Sequence, residues 1–323
     1  MMDVLITENI TGAPMDALRR DFDAAFEPEL WRDPAKLKQA AAEARAIIVR
    51  NQTQVTAEIL AAADKLQIVA RAGAGLDNVD TEAATGAGVV VSYAPHENSL
   101  SVAELAIGLM LGLARKLPAA DADTRGGGWD RRTYTGFELS GKTLGIVGFG
   151  RIGRMVAERA AVFGMRLVTH DPFVEPDSEV LAPLGATWLE LDDLLAESDL
   201  VTVHVPLTKG TAGLINDDRL RRMKPGAQLI NTSRGEIVDE EALARALESG
   251  RLAGAALDVR QCEPPQRGAL EQMPTVILTP HIGAFTTEAQ ERVVAAVCRD
   301  VAAVLRGDAA QGYFNFPTPK AKN

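Results

Sequence analysis

The stretch Leu144-Gly-Ile-Val-Gly-Phe-Gly-Arg-Ile-Gly153 decides the fold of this chain. Its first four residues read as a short buried strand, and Gly148, Gly150 and Gly153 follow at once. Beyond them Ile152, Met155, Val156, Ala160 and Phe163 recur at helical spacing, on one face of a helix that Gly164 ends. Arg166–Thr169 is the next strand, with Asp171 at its tip. In such a unit the glycines serve three separate ends, namely a tight turn, close approach of backbone to a pyrophosphate, and close helix–strand packing. The helix N-terminus offers unpaired N–H groups and a positive dipole end to the phosphates. Three glycines at this spacing are weak by themselves; strand, glycines, helix, strand and acid in the required order carry the reading, and dinucleotide binding is expected. A carboxylate at Asp171 suits the ribose hydroxyls and repels a 2′-phosphate, which favours NAD over NADP. The plainer reading of Asp171 is the start of a turn at Asp171-Pro172.

Outward from this unit, short β-branched runs alternate with helical patterns. Strands are expected at Val4–Thr7, Ala46–Val49, Ile68–Ala70 and Val89–Val91, with helices near 13–20, 34–44, 56–63 and 80–86 between them. A second series runs Leu144–Val147, Arg166–Thr169, Leu200–Val203, Gln228–Ile230, Ala255–Leu257 and Val276–Leu278. A long apolar helix, Ser99–Leu117, and the loop Arg125–Trp129 separate the two series; a helix at Thr287–Leu305 follows them. The βαβ rhythm indicates an α/β fold with two doubly wound parallel sheets, one per series. The tail Pro317–Asn323 is expected to be loose.

At 323 residues the chain is long enough for two domains. Its formal net charge of -10 argues against a nucleic-acid or anionic-membrane partner, while leaving room for a local arginine pocket. The opening MMDVLITENI lacks the features of a secretion signal, and Leu105–Ala114 is too short to span a bilayer. Cys262 and Cys298 form no metal-ligand or disulfide pattern. A cytoplasmic protein without a metal is expected.

With the glycine unit in the second half of the chain, the pattern resembles the D-isomer-specific 2-hydroxyacid dehydrogenases, in their phosphoglycerate dehydrogenase and hydroxypyruvate reductase branch. The matching motifs are RAGAGLDNVD (71–80), ENSLSVAELAIGLML (97–111), GKTLGIVGFGRIG (141–153), HDPF (170–173), HVPLT (204–208), NTSRGEIVDE (231–240), ALDVRQCEPP (256–265) and TPHIGA (279–284). The resemblance implies a Rossmann NAD-binding domain, residues 99–285, inserted in a flavodoxin-like substrate domain, residues 1–98 and 286–323. It implies NAD as cofactor, a small anionic 2-hydroxy or 2-oxo acid as substrate, binding in a cleft between the domains, and a homodimer formed through the cofactor domain. The apolar surplus of Ser99–Leu117 points to the same dimer.

The resemblance also implies three catalytic residues, Arg234, Glu263 and His281, and each makes chemical sense. Oxidising a 2-hydroxy acid removes the hydroxyl proton while hydride leaves C2; reduction reverses both. Histidine titrates nearest neutrality and suits the acid–base role of His281. Glu263 holds the imidazole in one orientation, and Arg234 presents a planar fork to the substrate carboxylate and the C2 oxygen. Plainer readings stand beside these: a turn histidine at Pro280-His281, a loop acid at Glu263-Pro264, a phosphate contact or ion pair at Arg234. By the same resemblance Arg151 and Ile152 lie along the pyrophosphate. Val205, Thr232, Ser233 and Gly283 line the cofactor, and Asp258 meets its nicotinamide end. Ala74 and Gly75 receive the substrate carboxylate on backbone N–H groups, and Arg50 faces the substrate's far end, where an exposed surface arginine is the alternative.

The chain departs from the family pattern at several positions. Arg260 stands where phenylalanine is usual, and either reads a second anionic group or pairs with an acid. Glu97 replaces a common glycine, Phe285 a small polar residue, and Gln52 stands where some phosphate-accepting members use a basic residue. These changes weaken 3-phosphoglycerate as the substrate, and no regulatory extension is expected beyond the last helix. Two other functions are compatible with the motifs: an NADH-sensing corepressor-like binding protein, and a dehydrogenase acting on formate or phosphite.

Overall fold

A computed structural model describes residues 2–320. The chain divides into two compact units, one made of the residues up to Asn98 with those from Ala284 onward, the other of Ser99–Gly283.

In the first unit β1 (Val4–Ile6), α1 (Ala13–Asp21), β2 (Ala24–Phe26), α2 (Pro34–Ala41), β3 (Ala46–Val49), α3 (Ala57–Ala62), β4 (Ile68–Arg71), α4 (Thr81–Gly86) and β5 (Val90–Tyr93) alternate along the chain. The five strands form a parallel sheet in the order β2-β1-β3-β4-β5, the flavodoxin-like arrangement. β1, β3 and β4 are apolar almost throughout because helices cover both faces, and alternate residues supply two cores. Val4, Ile6 and Ile48 pack with Met15 and Leu18 of α1; Leu5, Ile47 and Val49 pack with Leu37, Ile59 and Leu60 of α2 and α3.

The second unit begins with α5 (Ser99–Ala114) and α6 (Leu117–Arg125). It continues through β6 (Thr143–Val147), α7 (Arg151–Val162), β7 (Arg166–His170), β8 (Ala186–Trp188), α8 (Leu191–Glu197), β9 (Leu200–Val203), α9 (Asp217–Arg222), β10 (Ala227–Asn231), α10 (Glu240–Glu248), β11 (Leu252–Leu257) and β12 (Val276–Leu278). Its seven parallel strands run β12-β11-β10-β9-β6-β7-β8, a Rossmann order extended by one strand. The chain leaves β8 at one edge and re-enters at β9 beside β6. This reversal opens a crevice at the carboxyl ends of β6 and β9, where ligands of such sheets bind. α11 (Thr287–Arg306) returns to the first unit and buries Val293, Val297, Val301 and Val304 in the core shared with α1.

The structure differs from the sequence expectations in four places. β2 and β8 were not expected: both are three-residue edge strands, half-exposed and too short to show a strand pattern. The helix expected over Ser99–Leu117 breaks at Lys116, which is left-handed at φ 51°, and restarts as α6 with Pro118 in its first turn. Proline is tolerated there and not in a helix interior. α5 is buried by its own unit, against α7 and the sheet, so its hydrophobicity is explained without a partner. The segment expected to be loose is tied down as far as it is described. Pro317 accepts from the Ala310 N–H at 2.8 Å, and Lys320 donates to Gly88 at 3.0 Å; the last three residues of that expectation lie outside the described residues. Among the described residues no helix is long and apolar enough to cross a membrane.

Candidate active site

Every loop leaving the carboxyl edge of the seven-stranded sheet near the crevice carries a residue singled out in the sequence. After β6 the backbone turns at Gly148, with φ 93°. A Cβ there would lie 2.8 Å from the His204 carbonyl oxygen, and one on Gly153 would lie 2.1 Å from the Gly148 oxygen. Glycine is therefore required for the strand, turn and helix to pack. Gly150 is the N-cap of α7 and makes no side-chain capping bond, and a Cβ on it would meet open space. Arg151 and Ile152 form the first turn of that helix. The Asp171 carboxylate, at the end of β7, accepts from Phe149 N at 2.8 Å and Phe173 N at 2.9 Å. It thus both braces the glycine turn and starts the turn that follows.

Beside this cradle Val205 follows β9, and Thr232 and Ser233 follow β10. Thr232 is 7% exposed, and its hydroxyl is buried without a hydrogen-bond partner among the described residues. An orphaned buried hydroxyl, a glycine-walled turn and an uncapped helix N-terminus fit a dinucleotide, whose phosphates and amide would satisfy them. The Asn231 side chain, fully buried, braces the turn: Oδ1 accepts from Ser233 N at 3.0 Å and Ser233 Oγ at 2.8 Å, and Nδ2 donates to Arg234 O at 2.8 Å. Sequence reasoning passed over Asn231, though asparagine two residues before a turning backbone is an Asx-turn signal. Arg234 is thereby held in extended conformation, half-buried, with Nη1 donating to Ser233 O at 2.8 Å. Gly235 follows because no side chain fits: its Cβ would lie 2.0 Å from the Arg260 carbonyl carbon.

His281, after β12, is left-handed at φ 54°, a conformation that non-glycine residues adopt only where neighbours impose it. The neighbour is Asp258, almost fully buried. Its carbonyl accepts from His281 N at 2.8 Å, its Oδ1 from Thr279 Oγ1 at 2.6 Å and Ile282 N at 2.9 Å, its Oδ2 from Gly283 N at 2.8 Å. The Asp258 carboxylate is thus occupied in shaping the loop that carries His281. Nδ1 of His281 lies 2.7 Å from Glu263 Oε2. A carboxylate accepts only, so Nδ1 carries the proton and Nε2 keeps the lone pair that acid–base chemistry needs. Burial pushes the Glu263 carboxyl up, but the His281 hydrogen bond and charge, the Arg260 N–H and the Arg234 charge together hold it below its ordinary value. Glu263 therefore remains ionised wherever histidine chemistry operates.

His204, at the end of β9, contributes a pH dependence of stability. Burial lowers its pKa to about 3, its Nε2 lies 2.9 Å from Thr202 Oγ1, and among the described residues its buried Nδ1 has no partner. The unfolded chain takes up this proton near pH 6.5, while the folded protein stays neutral until about pH 3. Stability is therefore complete above pH 6.5 and falls as pH drops through that window, by up to about 1.4 kcal/mol per pH unit. Urea midpoints between pH 7 and 4.5 are expected to fall less steeply for His204→Asn than for the native chain; equal slopes would contradict this.

In the first unit, Arg50, Ala74 and Gly75 stand at the carboxyl ends of β3 and β4. The loop after β3 is folded around buried Glu8, whose carboxylate accepts from the backbone N–H groups of Arg50, Asn51, Gln52 and Thr53 at 2.7–3.2 Å. The Arg50 guanidinium is not a loose surface group: it bonds Gln290 and lies 5.2 Å from the Phe285 ring centroid. Arg71, which sequence reasoning left aside, is buried and donates to Asn51 Oδ1 at 2.7 Å. Gly73 beside it has φ 157°, a backbone conformation that L side chains rarely adopt.

Comparison with known proteins accords with this construction. The family model for the D-isomer specific 2-hydroxyacid dehydrogenase NAD binding domain matches residues 107–283. The D-3-phosphoglycerate dehydrogenase of Mycobacterium tuberculosis is 46% identical over 305 residues, covering 94% of this chain. The chain spans only 57% of that relative's length. Among solved structures, the TT0316 protein of Thermus thermophilus superposes with a TM-score of 0.90 at 37% identity, covering 97% of this chain and 99% of that one. A glyoxylate reductase from Paecilomyes thermophila gives 0.87 at 32% identity, covering 97% and 98%. By sequence, by sheet order and by the loops at its carboxyl edge, the chain belongs to the D-isomer specific 2-hydroxyacid dehydrogenase family.

Proposed function

We propose that this chain is an NAD-dependent oxidoreductase that interconverts a small D-2-hydroxy acid and its 2-oxo acid. In this reading Ser99–Gly283 binds the dinucleotide, and the other unit contributes Arg50, Ala74 and Gly75 to the substrate. The observation that carries the reading is the His281–Glu263 pair at 2.7 Å, on the same sheet edge as Arg234 and the glycine cradle. When bound, NAD would supply the redox chemistry, hydride donation to or acceptance from C2. Arg234 grips the substrate carboxylate and polarises the C2 oxygen. His281 Nε2 gives that oxygen a proton in reduction and takes it in oxidation, while Glu263 fixes the imidazole and stabilises its charged form. Reduction thus consumes a 2-oxo acid, NADH and one proton.

The test is NADH oxidation with glyoxylate, hydroxypyruvate, 2-oxoglutarate, phosphohydroxypyruvate and sulfopyruvate, repeated with NADPH. Turnover of at least one acid, with NADH preferred, is expected. Tight NADH binding without turnover of any would replace the dehydrogenase by a sensor.

The homodimer belongs to the same proposal, on altered grounds. The apolar side chains left exposed on the second unit include Leu117, Trp129 (75%) and Val162 (88%), on α6, the loop after it and the end of α7. Taken as parts of one apolar patch, they are of the kind that marks an interface. Sedimentation is expected to give a dimer at micromolar concentration; a monomer would remove it. The exposed Cys262 thiol suits a reducing compartment, hence a cytoplasmic location; recovery in a secreted fraction would contradict that.

A further inference from the structure

Arg260 pairs with acids, one of the two readings of its sequence position, but does so largely buried and not at the surface. Its side chain is 9% exposed and its guanidinium is engaged on both edges. Nε and Nη2 donate to the two oxygens of Glu240, at 3.1 and 2.8 Å, and Nη1 donates to Glu271. A fork held in this way between two acids is not available to a substrate anion. Its backbone, however, touches both halves of the catalytic set. Arg260 N donates to Glu263 Oε1 at 3.1 Å, which leaves Oε2 to His281. Its carbonyl lies against Gly235, so close that a Cβ there would lie 2.0 Å from the Arg260 carbonyl carbon, and Gly235 directly follows Arg234. The two acids fix the rest of the loop: Glu240 Oε1 also accepts from Gln261 N at 2.7 Å, and Glu271 Oε2 accepts from Gly268 N at 2.8 Å. α10 and the 3-10 turn at Leu270–Gln272 thus clamp the segment that runs from the end of β11 through Glu263.

We infer that Arg260 is a positioning residue: clamped between Glu240 and Glu271, it sets the register of the loop in which Glu263 orients His281. This rests on the catalytic roles proposed above. A side chain acting by position should lower turnover and leave cofactor affinity alone, since misplacing catalytic groups by about 1 Å can cost about 100-fold.

The test compares Arg260→Met with the triple variant Arg260→Met/Glu240→Gln/Glu271→Gln, which removes the clamp without leaving the two partly exposed acids facing each other unpaired. Both are expected to lower kcat roughly 10- to 100-fold, with NADH Kd within twofold. In a Glu263→Ala background Arg260→Met should cost less than threefold further, because a residue acting through Glu263 loses its effect when Glu263 is gone. Equal losses in both backgrounds, or a rise in KM alone, would overturn the inference.

A second readout needs no turnover. Two-bond 1H–15N spectra above pH 8 report the tautomer of His281, one of four histidines, identified by its loss in His281→Ala. Native protein should show the Nδ1–H form, and folded triple variant a mixture, as in Glu263→Ala. An unchanged Nδ1–H form in the folded triple variant would overturn the positioning role. An inactive native enzyme with the tautomer shift present would instead count against the proposed function.

Discussion

Replacing His281 by alanine is expected to lower kcat by about 10²–10⁴, the scale of general acid–base catalysis, while NADH binding changes little. The geometry explains the asymmetry. Glu263 holds Nδ1 at 2.7 Å, which leaves Nε2 for the proposed proton transfer, whereas the proposed cofactor contacts lie in the β6–α7 turn and after β9 and β10. His281 is left-handed at φ 54°, so alanine adds some backbone strain of its own. His281→Asn separates the two effects, because asparagine tolerates this conformation. Both variants should lose turnover alike in steady-state assays. A loss under threefold in His281→Asn would remove His281 from the proton-transfer role.

Arg234→Lys is expected to reduce kcat/KM by roughly 10- to 150-fold, the equivalent of losing one charge-assisted hydrogen bond of about 1.5–3 kcal/mol. The charge is kept and the planar fork is lost. Arg234 is held in extended conformation by Asn231 on its carbonyl and has Gly235 pressed against Arg260 behind it. A lysine therefore cannot shift its backbone to recover the second contact. Part of the loss should appear in KM, from the carboxylate, and part in kcat, from the C2 oxygen. Values of both within twofold of the native enzyme would contradict the assignment.

How much of this was legible in the residues can be argued from cases. Ala46–Val49 and Leu200–Val203 were readable to the residue because strands buried on both faces must be continuously apolar. Ala24–Phe26 and Ala186–Trp188 were not, because an edge strand needs neither apolar faces nor length. The helix break at Lys116 was signalled by Pro118, but a strongly apolar run on its N-terminal side obscured it.

The site divides in the same way. Arg234, Glu263, His281 and the three glycines stand in motifs whose residue types already specify their chemistry. The supporting residues differ: Asn231 acts on its own turn and carries only a weak local signal, while what Asp258 and Arg260 hold depends on partners farther along the chain. Arg260 shows this best. Glu240 and Glu271, its two acids, lie on α10 and on a turn near β12, and only folding brings them to one guanidinium.

Local periodicity and the glycine spacing were enough for the α/β class, the βαβ rhythm and the glycine turn, since each follows from neighbours in the chain. The tertiary structure alone decided which polar groups are buried and what they hold. Hydrogen bonds and ion pairs join residues by distance in space, and no local pattern in the chain encodes that distance.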